Sequence, residues 1–267
     1  MAGASRGLLG PIVLVSSIIL FSLLLTINNC SIIPLQSELS ELSRLFIEYS
    51  YCECINSSLS LAIVNAILWD FRGIDTFFET SVLFIAVIGG WIVYQKILPH
   101  GLGSSGYSLI VRLITRLSLI IAFTVSLALA LNGHLSPGGG FQAGALLSTA
   151  MIILIVVYGL NWVKLNLLPL GRALAIRTLG LLGIVLLAFL PVVSGVLHGY
   201  SGFVFQNQAK PPLSFFNLYY EVGGVRYTLV VLLYNLFEYV AVTAAFTLVF
   251  YTIASIVFEK KDQGVRV

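Results

Sequence analysis

Long apolar runs constrain this chain more than any other feature of its sequence. Five are clear: Leu8–Ile27, Ile74–Tyr94, Tyr107–Leu131, Gly139–Leu160 and Ala173–Leu197. A sixth begins near Tyr227 and continues to Phe258. A helix of about 20 apolar residues crosses the hydrocarbon core of a bilayer. The runs therefore predict an all-α, polytopic integral membrane protein with about six transmembrane helices.

The composition agrees with a lipid environment and excludes several classes of function. Only 9% of the residues are charged, whereas a soluble domain has about 25%. The net charge of +3 is too small to favour a nucleic-acid partner. Three cysteines cannot supply the roughly four ligands of an iron–sulfur cluster or a structural zinc, so we expect no cofactor and no resident metal. Cys30 could pair with Cys52 or Cys54, and free thiols fit the sequence equally well.

The lysines and arginines predict the orientation, because cytoplasmic loops carry an excess of both. With the N-terminus inside, most of the 14 lie on the cytoplasmic side: Arg6, Lys96, Arg112, Arg116, Lys164, Arg172, Arg177, Lys260, Lys261 and Arg266. Arg44, Lys210 and Arg226 lie outside, and Arg72 lies within the membrane. We expect a multi-pass protein of the cell membrane with both termini in the cytoplasm. Arg112 and Arg116 are expected to extend towards lipid phosphates.

Two further segments shape the expected organisation. The apolar part of Ser58–Trp69 has about 11 residues, which as a helix would span roughly 16 Å. It is too short to cross, so we expect one re-entrant or interfacial helix there. Residues 98–106 are rich in Gly and Ser, which is typical of a flexible linker. This linker predicts a membrane module over residues 1–97 and a four-helix membrane domain over residues 107–267.

Glu238 is the acidic residue that lies deepest in an apolar run. Counted from Tyr227, it is about 11 residues or 16 Å into the last helix, near the bilayer midplane. A carboxyl group there must be protonated, paired or next to a polar cavity. Asn235 and Tyr234 share its helix face and could hydrogen-bond it. We interpret Glu238 as an ion-translocation residue, and the alternative is a neutral acid that ties helices together.

A second polar cluster begins the run at Ile74. Arg72, Asp75 and Glu79 are spaced by three and four residues, so on a continuous helix they form one stripe, with Asp70 just before it. Two carboxylates one turn apart favour a proton or a cation between them, which suits ion translocation near an entrance. Gly73 could instead break the helix. An interfacial salt-bridge cluster is the alternative interpretation.

The connection between the third and fourth runs contains Pro137 followed by Gly138, Gly139 and Gly140. Such a sequence predicts a tight helix connection in which another backbone can approach closely. His134 precedes it and could handle a proton near neutral pH. A purely structural loop with a hydrogen-bonded histidine is the alternative.

These motifs resemble two known families. The segment Gly133–Phe141, with Gly144 after it, resembles the Gly-His-Asn-x-Pro-Gly-Gly-Gly-Phe signature of the MnhB family, also called MrpB, of Mrp-type sodium/proton antiporters. Phe237 and Glu238 lie where that family has Phe-Glu in its last helix. The stretch Asn65–Glu79 resembles the MbhE family of archaeal membrane-bound hydrogenases, a module also found at the C-terminal end of the large MrpA protein.

The resemblance implies a fusion of the two modules, and with it a function. The chain would be an accessory, non-enzymatic component of a cation/proton antiporter complex, moving Na⁺ or H⁺ with other Mrp-like subunits. That complex would be free-standing or coupled to a hydrogenase or related respiratory enzyme. A purely structural role in assembly is one alternative. The other is an intramembrane serine protease, because Gly199-Tyr200-Ser201-Gly202 contains a Gly-x-Ser-Gly sequence, although such an enzyme needs a histidine base beside the serine.

Overall fold

The computed structural model describes residues 15–17, 19–21, 23, 39–52, 54, 57–95 and 107–262. The chain divides into two compact units, Met1–Arg44 and Leu45–Val267. In the first unit, the described residues between 15 and 23 are helical. The rest of the predicted span Leu8–Ile27 lies outside the described residues, and so does the linker at 98–106.

The elements from residue 41 onward alternate between long helices and short segments. In chain order they are α1 (Glu41–Ser50), α2 (Ile63–Ala66), a π-helix (Ile67–Phe71), α3 (Gly73–Gln95), α4 (Leu109–Asn132), α5 (Gly140–Tyr158), α6 (Leu160–Asn166), α7 (Leu170–His198), β1 (Tyr219–Val222), β2 (Val225–Thr228) and α8 (Leu229–Asp262).

Five helices in the described part of the chain are long and apolar enough to cross a membrane: Gly73–Gly90, Leu109–Asn132, Gly140–Tyr158, Leu170–His198 and Leu229–Ser255. They coincide with the second to sixth apolar runs. The fold class predicted from the sequence is therefore confirmed, and the protein is a multi-pass membrane protein.

Helix α8 lies at the centre of the bundle. It packs against α3, α4, α5 and α7, and 56% of its apolar window is buried, against 17% for α4. Large side chains on α8, including Tyr234, Leu248 and Tyr251, are fully buried. A group carried by α8 is therefore screened from lipid by other helices, whereas α4 exposes most of its surface.

A β-hairpin precedes α8, although the run lengths predicted only helices. Strands β1 and β2 pair antiparallel, with Glu221 opposite Arg226. Gly223 and Gly224 form the turn at φ 61° and 83°, a conformation that favours glycine in two-residue hairpin turns. As a result α8 begins at Leu229, two residues after the expected start of the sixth run.

The segment predicted to be re-entrant or interfacial is not a membrane-crossing helix. Residues 57–62 have no regular structure, and α2 continues directly into the π-helix, which ends at Phe71. Arg72 leaves the helical conformation, at φ −132° and ψ 34°, and α3 begins at Gly73. The chain therefore turns between Asp70 and the first spanning helix of this unit.

Candidate functional site

Glu238 lies inside the bundle, on the face of α8 that meets the beginning of α5. Its side chain is only 6% exposed. The carboxylate atom Oε2 accepts a hydrogen bond of 3.1 Å from the backbone N–H of Phe141. That N–H belongs to the first turn of α5, where helical N–H groups have no partner within their own helix. The carboxylate thus satisfies a buried backbone donor.

The glycine-rich connection makes this contact possible. A Cβ atom at Gly140 would overlap the backbone oxygen of Asn235 and lie 2.7 Å from Cβ of Glu238. No side chain fits between the two helices at that point. Gly138 and Gly139 precede it, and Gly138 has φ 155°. The Pro137–Gly140 motif therefore lets the N-terminus of α5 abut α8.

The sequence allowed Asn235 and Tyr234 to hydrogen-bond Glu238, but neither does so in the described part of the chain. Oδ1 of Asn235 accepts instead from the indole Nε1 of Trp69 at 3.2 Å. The Trp69 ring stacks on Tyr234 with centroids 4.7 Å apart. Asn235 and Tyr234 lie on the same face of α8 as Glu238. That face also contacts the π-helix, where Trp69 donates a hydrogen bond to the Asn235 amide.

Asn65 joins the two ends of the glycine-rich connection. Its Nδ2 donates to the backbone oxygens of Gly133 at 2.5 Å and Gly138 at 2.6 Å. Nearby, the backbone N–H of Ala62 and the hydroxyl of Ser60 both donate to the backbone oxygen of His134. Asn65 itself is 1% exposed. The segment before α3 is therefore bonded directly to the loop that positions Phe141.

His134 is a buried part of this loop, with 1% exposure. Its Nε2 hydrogen-bonds the hydroxyl of Tyr220 on β1. Burial lowers the pKa of the imidazole to about 4, so the ring is neutral at pH 7. Titration near neutral pH, the role considered from the sequence, does not fit this environment, and the hydrogen-bonded alternative does.

Asp70 is separated from the stripe that the sequence suggested. It lies in the π-helix beside Ser58 and Asn207, and burial raises the pKa of its carboxyl to about 6, an effect that the charge of Lys210 partly offsets. Within the described residues, Oδ2 of Asp70 and the side-chain atoms of Asn207 are buried with no partner at full hydrogen-bond geometry, although Ser58 and Asn207 lie near enough to the carboxyl to lower its pKa somewhat. Unpartnered buried polar atoms are commonly satisfied by water or an ion.

Arg72 does not join the continuous helical stripe, because α3 starts at Gly73, whereas Asp75 and Glu79 lie one turn apart on that helix. Arg72 still pairs with Asp75, at 2.6 Å between Nη2 and Oδ2. Both side chains are more than half exposed, and Glu79 is exposed on α3. An exposed ion pair contributes about 0–1 kcal/mol to stability. In this chain the cation pairs with one of the two acids, on the surface.

Arg177 is a buried cation within the bundle. The lysine and arginine distribution assigned it to the cytoplasmic side without predicting its burial, and it is 2% exposed within α7. Its Nη2 donates to the backbone oxygen of Leu83 at 3.2 Å, and the guanidinium lies 4.2 Å from the centroid of the Phe84 ring. Nη1 has no partner in the described part of the chain. Sequence spacing does not indicate these contacts, because Leu83 and Phe84 lie on a different helix.

The cysteines and possible metal ligands are the remaining reactive groups. Cys52 and Cys54 form a disulfide with each other, so neither pairs with Cys30, which lies outside the described residues. In the described ranges no three His, Cys, Asp or Glu side chains are grouped so that they could hold a metal ion. The candidate site consists of the buried carboxyl group of Glu238, bonded to the Phe141 N–H, and the neighbouring hydrogen bonds of Asn65 and Trp69.

A buried carboxyl group on the central helix of a multi-helix bundle, with five helices in its described part able to cross a membrane, defines a class of polytopic integral membrane proteins. Comparison with known sequences gives the family. Residues 110–248, just over half of the chain, match the family described as a domain related to the MnhB subunit of Na⁺/H⁺ antiporters. The chain belongs to this family.

Individual relatives are similar over part of the chain. An uncharacterized protein of Methanocaldococcus jannaschii is 30% identical over 116 residues, 37% of this chain and 44% of that protein. The A/B component of a probable K⁺/H⁺ antiporter of Rhizobium meliloti is 28% identical over 127 residues, 38% of this chain and 13% of that protein. The B component of the Na⁺/H⁺ antiporter of Bacillus subtilis is 39% identical over 61 residues, 23% of this chain and 42% of that protein. The aligned regions span less than half of each relative.

Two solved membrane complexes contain chains of similar fold. A chain of the Mrp complex from Dietzia sp. matches with a TM-score of 0.58 and 17% identity, over 92% of this chain and 26% of that one. A chain of the archaeal membrane-bound sulfane sulfur reductase matches with a TM-score of 0.59 and 17% identity, over 93% of this chain and 98% of that one. These likenesses concern the fold alone. Both neighbours belong to multisubunit membrane complexes.

Proposed function

We propose that this protein is an accessory membrane subunit of a multisubunit cation/proton antiporter module, and that Glu238 lies on or beside its ion path. The observation that carries the proposal is the position of that carboxyl group. Counted from Leu229, Glu238 is nine residues into α8, about 14 Å along the helix. Acidic side chains at this depth are costly and usually mark an ion or proton pathway.

The surroundings of Glu238 suit a group that exchanges a proton or a cation. A carboxyl oxygen can accept the N–H of Phe141 whether the other oxygen is protonated or not. The hydrogen bond at 3.1 Å therefore holds the side chain in place through a cycle. The membership in the MnhB family supports Na⁺ and H⁺ as the transported ions.

The polar cluster of Asp70, Arg72, Asp75 and Glu79 would form the vestibule of the same ion path. Asp70 supports this role because burial raises the pKa of its carboxyl to about 6, while Asp75 and Glu79 are exposed acids on α3. Arg72 would act as counter-charge, as it does for Asp75. The loop of His134 and Pro137–Gly140 would serve as structure around the path, because its bonds position Phe141.

The proposal includes partners and orientation. Other Mrp-like subunits would surround the exposed faces of α3 and α4, in an antiporter that is free-standing or coupled to hydrogenase or other redox subunits. The region before α4 would be a module like the MbhE protein of membrane-bound hydrogenases, fused to the MnhB-like domain. Both termini would lie in the cytoplasm, following the lysine and arginine distribution.

The test is Glu238→Gln in the assembled complex, with ion exchange measured in membrane vesicles. The glutamine oxygen can still accept the Phe141 N–H, so we expect normal assembly, but Na⁺-dependent proton movement should fall at least about tenfold, as for the loss of a proton-transferring group. Glu221→Gln on the exposed hairpin is the matched control and should leave transport unchanged. Full transport by the Glu238→Gln complex would contradict the proposal.

A structural subunit without an ion path is the second candidate. The observation in its favour is that Glu238 ties α8 to the first turn of α5, which is a stabilising role in itself. Normal transport by the Glu238→Gln complex would be its expected result. The protease alternative has weaker support: in the described residues, His134 hydrogen-bonds Tyr220 and His198 hydrogen-bonds the Ser194 backbone, so neither of these bonds is to Ser201.

A further inference from the structure

A basic groove lies at the end of the bundle where α4 begins and α5 ends. It has a volume of about 280 Å³ and is lined by Leu109, Arg112, Leu113, Arg116, Tyr158 and Trp162. This end of α5 is far from Glu238, which meets the helix at its other terminus. The groove is thus separate from the candidate ion site.

The two arginines are held in a defined arrangement. Arg112 and Arg116 are one helical turn apart on α4, so their side chains share a face. The guanidinium of Arg116 lies 5.4 Å from the centroid of the Tyr158 ring. The Tyr158 hydroxyl donates to the backbone oxygen of Arg112 at 2.9 Å, and Trp162 stacks on the same ring with centroids 4.4 Å apart. Aromatic rings therefore form the wall beside the cations.

The charge of the groove is of one sign, and its margin is apolar. None of its lining residues is acidic. Leu109 is 83% exposed and Leu113 is 58% exposed, next to the arginines on the outward side of α4. A ligand that fits both parts has an anionic group and a hydrocarbon chain.

We propose that this groove binds an anionic phospholipid, with the headgroup phosphate between Arg112 and Arg116 and an acyl chain along Leu109 and Leu113. Guanidinium groups match phosphate oxygens with paired N–H donors. Tryptophan and tyrosine favour the depth of lipid headgroups, and basic pockets between transmembrane helices bind such headgroups. The exposed leucines favour a lipid over free phosphate, which has nothing to contact them.

The test uses the full-length chain in phosphatidylcholine nanodiscs, with tryptophan fluorescence as the signal. Brominated phosphatidylglycerol is introduced at a small mole fraction and compared with brominated phosphatidylcholine, since bromine quenches a neighbouring tryptophan. We expect stronger quenching by the anionic lipid, and Trp162→Phe should remove that preference. The Arg112→Gln/Arg116→Gln variant should reduce the preference by about fivefold per arginine.

Arg172→Gln is the matched control, because Arg172 is an exposed arginine on α7 that does not line the groove. It should keep the full preference. Arg116→Gln alone changes one exposed side chain, so it provides a second variant if the double variant does not fold, and it should lose about fivefold. Three results would overturn the proposal: an equal loss in Arg172→Gln, full preference in Arg116→Gln, or abolition of the preference by inorganic phosphate, which would indicate a free-anion site.

Discussion

Gly140→Ala tests the contact on which the candidate site depends. The added methyl group would overlap the backbone oxygen of Asn235 and lie 2.8 Å from Oε2 of Glu238. The first of these atoms is part of the α8 backbone and cannot rotate away. Helix α5 must therefore move away from α8, and the hydrogen bond between Phe141 and Glu238 lengthens or breaks.

The expected loss of stability has two parts. Overpacking a close helix contact costs about 1–3 kcal/mol, and the lost hydrogen bond adds about 0.5–1.5 kcal/mol. Together they give a loss of about 1.5–4.5 kcal/mol in the free energy of unfolding. Equilibrium unfolding of the full-length chain in mixed micelles measures this loss. Hydrogen exchange at the Phe141 amide follows the contact itself and should accelerate more than about tenfold.

Gly89→Ala provides the matched control. Gly89 lies inside helix α3, and a Cβ there would meet nothing within 4 Å. Alanine is the better helix former by about 0.5–1 kcal/mol, so this variant should be as stable as the parent or slightly more stable. If Gly140→Ala behaves in the same way and keeps its Phe141 amide protected, the described approach of α5 to α8 is incorrect.

Two further predictions concern the glycine-rich loop between α4 and α5. Asn65→Ala removes both hydrogen bonds to Gly133 and Gly138 and should lower the free energy of unfolding by about 1–3 kcal/mol. The control Asn132→Ala changes an exposed amide bonded to Ala128 of its own helix and should alter the free energy of unfolding by less than about 0.5 kcal/mol. Equal effects of the two variants would refute the bridging role of Asn65. The pKa of His134 falls from 6.5 to about 4 on folding. The neutral ring therefore makes its full contribution to the free energy of unfolding above pH 6.5, and up to about 3 kcal/mol of stability is lost as the pH falls towards 4. Melting temperatures between pH 4 and pH 7 should therefore depend less on pH in His134→Asn, and parallel curves would contradict the assignment.

Much of the fold follows from run length, because a bilayer leaves few alternatives to helices of about 20 residues. Run length did not predict the hairpin before α8, because its strands, Tyr219–Val222 and Val225–Thr228, are much shorter than a membrane-crossing helix. The Gly223-Gly224 pair between them was the available signal. Hydropathy also did not predict the burial of Arg177, because its partners Leu83 and Phe84 lie on another helix.

The burial of Glu238 was predictable from the sequence, whereas its contacts were not. Glu238 was singled out as a candidate because its depth in the run makes an acid costly. Its hydrogen-bond donor is the backbone N–H of Phe141. Every residue except proline has such a group, so the sequence does not indicate which one is the donor. Asn65 and Trp69 were recognised only as parts of a motif, because their partners are about 70 and 166 positions away and sequence spacing reports only contacts within one element.

The hydrogen bonds of Asn65, Ser60 and Trp69 also bear on the chain's own connectivity. They join residues 57–95 to residues 107–262 through buried groups, and none of them depends on the peptide bonds between residues 95 and 107. The buried amides therefore determine how the two segments fit together, and the same contacts would also hold the segments together as separate polypeptides.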